Sequence, residues 1–294
     1  MKVCGFSFIR NAVKYSFPVV ESVKSILPVC DKFIMNVGDS EDDTLKLIQS
    51  INSSDKLQIF QSVWDDSLRK GGEVLAVETD KAFNAIPEEY DWAFYIQADE
   101  IMHEKYLNTI REAMEKYIDQ PEVNGLLFKY LHFYGTYGYV ADSRSWYRNE
   151  IRVIRNDKNI RSFRDAQGFR KNGKKLKVKA VDACMYHYGW VKHPKIMRDK
   201  TLNIRRYWHS DENIENKSFK YYHKEEFDYS KIDSIREFNG DHPAVIKDLI
   251  NKMNWDIKLN TTKKQFNLKD KFLHWFEQQT GKRLFEYKNY ILID

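Results

Sequence analysis

Sulfur chemistry has little to work with in this chain. Among 294 residues there are three cysteines, Cys4, Cys30 and Cys184, widely spaced and odd in number. That count argues against a disulfide framework or a paired-cysteine zinc site and fits a reducing compartment. No apolar run approaches the roughly 20 residues of a membrane-crossing helix. The chain starts directly with a strand-like run, Val3 to Ile9, without the basic stretch and long apolar region of a signal peptide. Secretion and integral membrane insertion are disfavoured. A cytoplasmic location is expected, with peripheral contact at the inner face of the plasma membrane left open. Charge of one sign is also scarce: 48 Lys+Arg against 43 Asp+Glu leave a formal net charge of +5, too mild by itself to imply a nucleic-acid partner. Internal repeats and low-complexity tracts are absent.

What is present suits a large folded core. The chain is 42% hydrophobic and 15% aromatic, enough for one large domain or one domain with a smaller extension. Over the first hundred residues, short β-rich runs (Val3–Phe8, Lys32–Val37, Leu57–Val63, Asp91–Gln97) alternate with helical spacing. Val20, Val23 and Leu27 share one helical face, and Leu45, Ile48 and Ile51 share another. This alternation predicts an α/β fold with a mostly parallel, doubly wound sheet, helices on both faces and ligands at its carboxyl edge. Ser40-Glu41-Asp42-Asp43 reads as the cap of the second helix or as an acidic ligand group.

After a helix ending near Pro121 and a strand from Gly125, the alternation stops. Residues 131 to 190 are rich in Tyr, Trp, Arg, Gly and His, with strand-like pieces at Ile151–Ile154, Leu176–Val181 and Met185–Tyr188. Basic residues gather between Arg144 and Lys179, as either an anion-binding surface or a solvated face. From 191 onward helical segments dominate. There Phe272, Trp275, Phe276, Leu284 and Phe285 are expected to pack on the main domain, with contact to a membrane surface as the alternative.

The most informative stretch is Asp91-Trp92-Ala93-Phe94-Tyr95-Ile96-Gln97-Ala98-Asp99-Glu100. It reads as a buried strand that delivers two carboxylates at its carboxyl end, where an α/β enzyme keeps its chemistry. Adjacent carboxylates repel, and a divalent cation bridging to phosphate would relieve them. Three further groups stand out: Phe8-Ile9-Arg10-Asn11 after the first strand, Val37-Gly38-Asp39-Ser40 after the second, and Arg69-Lys70-Gly71-Gly72 at a helix start. In Tyr186-His187-Tyr188, alternation puts His187 on the face opposite the two tyrosines. Tyr130 to Tyr139 and Trp146-Tyr147 offer flat aromatic faces on which a ring-shaped ligand can stack.

In this order the segments resemble a family 2 glycosyltransferase with the GT-A fold, of the bacterial surface-polysaccharide type. The resemblance covers about the first 190 residues. It implies a GT-A-like domain over 1–215, with a nucleotide-sugar-binding half at 1–130 and an acceptor half at 131–215, followed by a helical C-terminal extension at 216–294. It further implies an inverting transfer of sugar from a nucleotide-sugar donor to a glycan or lipid-linked acceptor, assisted by Mg2+ or Mn2+. Arg10, Asn11, Asp39, Lys70 and Gln97 would then meet the donor, and at least one of His132, Tyr134 or Trp146 would border the acceptor sugar. Asp99 and His187 would hold the metal, although Gln97 stands where the first Asp of an Asp-x-Asp motif is usual. Glu100 is either a helix-start carboxylate or a catalytic part. Asp165 would be the general base, with Arg164 beside it expected to lower its pKa. A nucleotidyltransferase making a nucleotide sugar is the alternative enzyme, but Phe8-Ile9-Arg10-Asn11 lacks its glycine-rich phosphate loop. A non-enzymatic binder of single-stranded nucleic acid over 130–190 is the other alternative, against which Asp99 and Glu100 argue.

Overall fold

Apolar and β-branched side chains build a central sheet whose first half is parallel. A computed structural model describes residues 1–51, 55–68, 70–209 and 224–294; Arg69 and the expected 215/216 boundary lie outside the described residues. The chain runs through β1 (Val3–Ile9), α1 (Val19–Ile26), β2 (Lys32–Gly38), α2 (Thr44–Gln49), β3 (Leu57–Ser62), α3 (Glu73–Asn84) and β4 (Trp92–Tyr95). These strands lie in the order β3-β2-β1-β4, all parallel. β1 and β2 are buried along almost their whole length, as strands covered on both faces must be. Val19, Val23 and Ile26 of α1 pack with Phe33, Met35 and Phe94 on one face. Ala82 and Phe83 of α3 pack with Phe6, Ile34 and Tyr95 on the other.

Beyond β4 the sheet becomes mixed. β5 (Glu100–Met102), α4 (Leu107–Lys116), β6 (Gly125–Tyr134), β7 (Thr136–Ala141) and β8 (Asn149–Arg155) follow, with β8 inserted antiparallel between β4 and β6. A small sheet of β9 (Ile160–Phe163), β10 (Gly168–Lys171) and β11 (Lys174–Lys175) precedes β12 (Lys177–Trp190), which runs parallel to β6 and antiparallel to β5. The two strand pieces expected at 176–181 and 185–188 are one strand, its pairing with β6 shifted by an irregularity between Ala180 and Cys184. The architecture is GT-A-like: a curled sheet flanked by helices, with further helices towards the C-terminus.

That last part is not purely helical. α5 (Pro194–Arg205), β13 (Ile235–Glu237), α6 (Lys247–Asn251), α7 (Leu268–Thr280) and β14 (Ile291–Leu292) complete the chain, and β13 and β14 pair with β7 and β12. Among the described residues no helix is long and apolar enough to cross a membrane. The aromatic stripe expected to pack on the main domain faces mostly outward. Phe272 and Trp275 are each 57% exposed and Phe285 is 89% exposed, while Leu273 is the buried residue of α7.

The basic cluster is spent largely inside the protein rather than on a ligand surface. Arg144 and Arg148 pair with Glu277, and Arg148 also pairs with Glu286. Arg155 donates to the carbonyls of Tyr117, Ile118, Gln120 and Val123, satisfying chain-end groups beyond α4. Arg170 and Lys175 donate to the carbonyls of Asn289 and Lys288. These contacts sew the C-terminal segment to the second half of the sheet.

The deepest ion pair links β5 to β8 within the mixed part of the sheet. Arg152 of β8 donates to both carboxylate oxygens of Glu100, Nε to Oε2 at 2.8 Å and Nη2 to Oε1 at 2.7 Å. Both side chains are essentially inaccessible to water. The guanidinium lies 5.2 Å and 5.3 Å from the ring centres of Tyr95 and Tyr130. Tyr130 Oη and the Gln97 backbone N–H also donate to Glu100. Removing one partner leaves the other charge buried and unmatched. Arg152→Leu is therefore expected to lower the unfolding free energy by about 3–5 kcal/mol in urea denaturation, whereas exposed Arg111→Leu should change it by less than about 0.5 kcal/mol.

Candidate active site

β4 ends at Tyr95, and the chain turns through Gln97, Ala98 and Asp99 before β5 starts at Glu100. Glu100 therefore belongs to the buried pair with Arg152, not to a helix start or an open catalytic position. Its hold on the Gln97 N–H fixes the turn, and the Gln97 carbonyl accepts from Ser22 Oγ at 2.8 Å. Asp99 is thus carried at the carboxyl edge of the parallel strands, 8% exposed.

Asp99 is a carboxylate with two different sides. Oδ2 accepts from Lys200 Nζ at 3.1 Å, and the same ammonium donates to the Gly189 carbonyl at 2.8 Å. Oδ1 faces His187 Nε2 at 3.7 Å. Burial alone would raise the Asp99 pKa, but the positive charge around it, that of Lys200 foremost, outweighs burial and holds the group well below the usual carboxylate range. Burial also lowers the pKa of His187, against the opposing pull of Asp99 and Glu100.

The neighbouring hydrogen bonds assign the tautomers. His132 Nε2 lies 2.8 Å from the Tyr147 carbonyl, which can only accept, so that nitrogen carries the proton. His132 Nδ1 is then an acceptor, and His187 Nδ1, 3.1 Å away, donates to it. Neutral His187 consequently turns a lone pair at Nε2 towards Asp99. Room for this is made by Gly189, since a Cβ there would lie 2.5 Å from His187 Nε2 and 2.7 Å from Asp99 Oδ2.

This bears directly on the divalent cation implied by the resemblance. Among the described residues no group of three or more His, Cys, Asp or Glu side chains could hold a metal ion. A carboxylate oxygen and an imidazole lone pair that face each other across a gap do suit a cation completed by phosphate oxygens and water. Asp99 and His187 fit such a two-residue donor set. The Lys200 ammonium on the second carboxylate oxygen reduces the charge available to the cation.

Arg10, Gln97, Asp99 and Asp165 border one cleft, which Lys200 and Tyr207 also line. Gln97 Nε2 reaches Tyr95 Oη and the Ala166 carbonyl, each at 3.4 Å. Arg10 donates to Asp39 Oδ2 at 3.2 Å and to Asp66 Oδ1 at 2.9 Å, and Asp39 also accepts from the Trp64 N–H. Asp165 sits against the start of α3. Gly72 there has φ of +75°, and a Cβ on it would come within 2.6 Å of the Asp165 Cβ, so that glycine serves both the turn and the close approach. Burial raises the Asp165 pKa, opposed by its own backbone N–H, by Arg164 and by the Gln167 N–H. The expected net lowering by Arg164 does not occur, because desolvation is the larger effect. Lys70 lies on the opposite side of Asp165, along a neighbouring groove.

Other expected residues sit elsewhere. Asn11, at φ +57°, is buried in the link between β1 and α2: its N–H donates to Ser40 Oγ, and its Oδ1 accepts from the Glu41 N–H. The acidic group Ser40 to Asp43 serves the same link, with Asp42 accepting from the Lys14 and Thr44 N–H groups. His132 is 3% exposed and acts behind His187 rather than at a surface. Tyr134 and Trp146 border a different groove, and Trp146 also lines a pocket between the 144–150 and 283–290 segments. Lys200, Lys192, Tyr207 and Glu150 were not anticipated: Lys200 and Tyr207 lie in a segment without a motif, and Lys192 and Glu150, although next to recognised strand runs, gain their roles only through distant contacts.

Glu150 on β8 is 2% exposed, and its Oε2 has no hydrogen-bond partner. Burial, opposed mainly by Arg152, pushes its pKa up to about 8. Below the unfolded value of about 4.5 both states hold the proton. Between there and about 8 only the folded state keeps it, so stability falls as pH rises through this window by up to roughly 1.4 kcal/mol per unit. Glu150→Gln removes that slope. Urea denaturation at pH 5 and 7.5 should show the variant gaining on the parent as pH rises, and parallel profiles would refute the assignment.

No family model matches the chain, and no curated protein matches it in sequence. Among solved structures, residues 1–349 of S. aureus TarS in complex with UDP-GlcNAc are similar at 12% identity and a TM-score of 0.41, with 69% of this chain and 65% of that chain covered. The chain covers 39% of a longer TarS structure. Glucosyl-3-phosphoglycerate synthase from Mycobacterium tuberculosis, with Mn2+, UDP-glucose and phosphoglyceric acid, is similar at 15% identity and a TM-score of 0.29, covering 45% of this chain and 43% of that one. 4-Diphosphocytidyl-2C-methyl-D-erythritol synthase from Anaerococcus prevotii is similar at 10% identity and a TM-score of 0.37, covering 70% and 95%.

Proposed function

We propose that the chain is an inverting glycosyltransferase that moves a sugar from a nucleotide-sugar donor to a hydroxyl of a glycan or lipid-linked acceptor. The observation that carries this reading is the meeting of Asp99, on a rigid strand-end turn, with Asp165 and Gln97 around one cleft at the carboxyl edge of the parallel strands. That edge is where α/β sheets bind nucleotides.

In this reading Asp165 accepts the proton of the acceptor hydroxyl as its oxygen bonds to the anomeric carbon. The bond from that carbon to the diphosphate oxygen breaks with inversion, and the nucleoside diphosphate leaves. A raised pKa suits the role, because a stronger base near neutrality takes the proton more readily. Asp99 and His187 would hold Mg2+ or Mn2+, which when bound offsets the charge on the departing diphosphate. Lys200 keeps Asp99 ionised and brings positive charge to the same wall of the cleft. Arg10, with Asp39 behind it, and Gln97 line the donor side, and Lys70 stands across Asp165 from them.

Thermal unfolding with UDP, GDP, CDP and ADP, each with and without Mn2+, tests the donor half. One nucleotide should stabilise selectively, by about 2.7 kcal/mol at a hundredfold excess over its Kd, and Mn2+ should enlarge the effect. Asp99→Asn should remove the Mn2+ increment. Asp165→Asn should keep the nucleotide shift while turnover drops by about 10²–10⁴; turnover at the parent level would remove Asp165 as the base.

A further inference from the structure

Eight of the eleven exposed large apolar side chains among the described residues lie within residues 268–292. Such side chains scattered singly over a surface need no explanation, but gathered in one segment they mark a contact site. The densest part is α7. Leu268 is 89% exposed, and with Phe272 and Trp275 it follows a spacing of four and then three residues. At 3.6 residues per turn the three fall within an arc of about 60° on one side of the helix. The ring centres of Phe272 and Trp275 are 6.0 Å apart, and Phe276 extends the patch at 6.5 Å from Phe272.

The helix is not free to roll and bury this stripe. Leu273 is packed on the opposite side, and Glu277 on that side is held by Arg144, Arg148 and Arg283. Asp270, two turns before Glu277 on the same inner side, accepts from the amide of Asn267, the residue that caps the helix. Both carboxylates of α7 are therefore engaged away from the exposed stripe. The lysines are not engaged. Lys269 and Lys271 on α7 and Lys282 and Lys288 beyond it are exposed, and none pairs with a carboxylate among the described residues. The outward face thus combines apolar rings with unmatched positive charge.

We propose that α7 docks the protein on a bilayer surface that carries anionic phospholipid headgroups. Leu268, Phe272 and Trp275 enter the boundary between headgroups and acyl chains, and Lys269 and Lys271 meet the lipid phosphates. A helix lying in that boundary needs an apolar stripe that can sink about 5–10 Å, with cations at its flanks. Lysine suits the flanks because its stem covers apolar surface while its ammonium stays in water, and tryptophan favours the same depth. A second copy of the chain is the poorer occupant. Pairing two such faces about a two-fold axis sets Lys269 and Lys271 against their own counterparts, with no carboxylate between them. No residue of α7 lines the cleft at Asp99, and the docking surface does not rest on the transferase reading.

Co-sedimentation of the whole chain with vesicles tests the inference without nucleotide. The chain should bind vesicles made of equal parts phosphatidylcholine and phosphatidylglycerol, and bind phosphatidylcholine alone more than tenfold more weakly. Raising the ionic strength from about 0.15 M to about 1 M should weaken the first interaction. Phe272→Ser combined with Trp275→Ser should cost at least about tenfold in vesicle affinity, and Lys269→Ala and Lys271→Ala about fivefold each. Val63→Ser, at an exposed apolar residue far from α7 in the chain, should change nothing. All these positions are exposed, so the variants should keep the parent's urea midpoint. Failure to bind the mixed vesicles, equal binding to both kinds, or binding that the double aromatic variant retains overturns the proposal. Self-association of the lipid-free chain that the double variant abolishes overturns it too, and assigns the face to a second copy.

Discussion

The Glu100–Arg152 pair is the constraint on which the candidate site rests. Neither group meets water, so the desolvation of both ions must be repaid by close contact and by further hydrogen bonds. The two guanidinium bonds, Tyr130 Oη, the Gln97 N–H and the flanking rings of Tyr95 and Tyr130 meet that demand. The geometry that satisfies Glu100 also decides where its chain neighbour Asp99 points. Because β5 pairs with β12 so that Glu100 stands opposite His187, the same anchor sets the imidazole beside Asp99. A charge pair that contributes little net stability can thereby fix the position of the carboxylate at the centre of the candidate site.

Legibility in the sequence followed the distance over which each signal acts. Strands β1 to β4 and the helices between them show local periodicity, and the carboxylates after β4 follow from a run that ends at a sheet edge. Arg10, Gln97 and Asp99 could be read because each follows β1 or β4 at the sheet edge, whereas Asp165 lies far from these elements and was reached only through the resemblance. His187 could be placed on the right strand face, but its tautomer depends on His132 and on the Tyr147 carbonyl, which no pattern in the chain reveals. The roles of Glu100, His132 and Asn11 were obscured for the same reason: each is engaged by a residue far away in sequence or by the backbone of another loop. The basic run from Arg144 to Lys179 misled because composition records charge but not its partners. Glu277, Glu286 and the carbonyls of 288 and 289 come from the far end of the chain.

The C-terminal segment consequently does more than cover the main domain. β14 adds to β12, Arg283 donates to the Trp146 carbonyl at 2.7 Å, and the absence of a side chain at Gly168 leaves space for Asn289, whose Nδ2 would lie 1.9 Å from a Cβ there. Residues 283–290 form one wall of the cavity beside Asp165 and hold Trp146 in place from behind. The cleft at Asp99 is assembled from the first half of the chain together with Asp165 and α5. The neighbouring cavity is assembled from β8, the Asp165 loop and the C-terminal segment.

The division of Asp99 between an ammonium and an imidazole also bears on how a cation would be held. With Lys200 on one oxygen, the carboxylate offers a cation its other oxygen and only part of its charge. His187 adds a neutral donor. Two such ligands give weak affinity by themselves, since divalent cations bound by few protein groups depend on substrate phosphates to complete their shell. Cation and diphosphate would then strengthen each other's binding by the same factor, as thermodynamic linkage requires. The third favourable charge, on Lys200, is covalently part of the protein and needs no loading. The cleft would therefore retain a positive centre next to the leaving group at cation concentrations too low to fill the Asp99–His187 gap, and the chain's substitution of Gln97 for a second carboxylate is consistent with that distribution of charge.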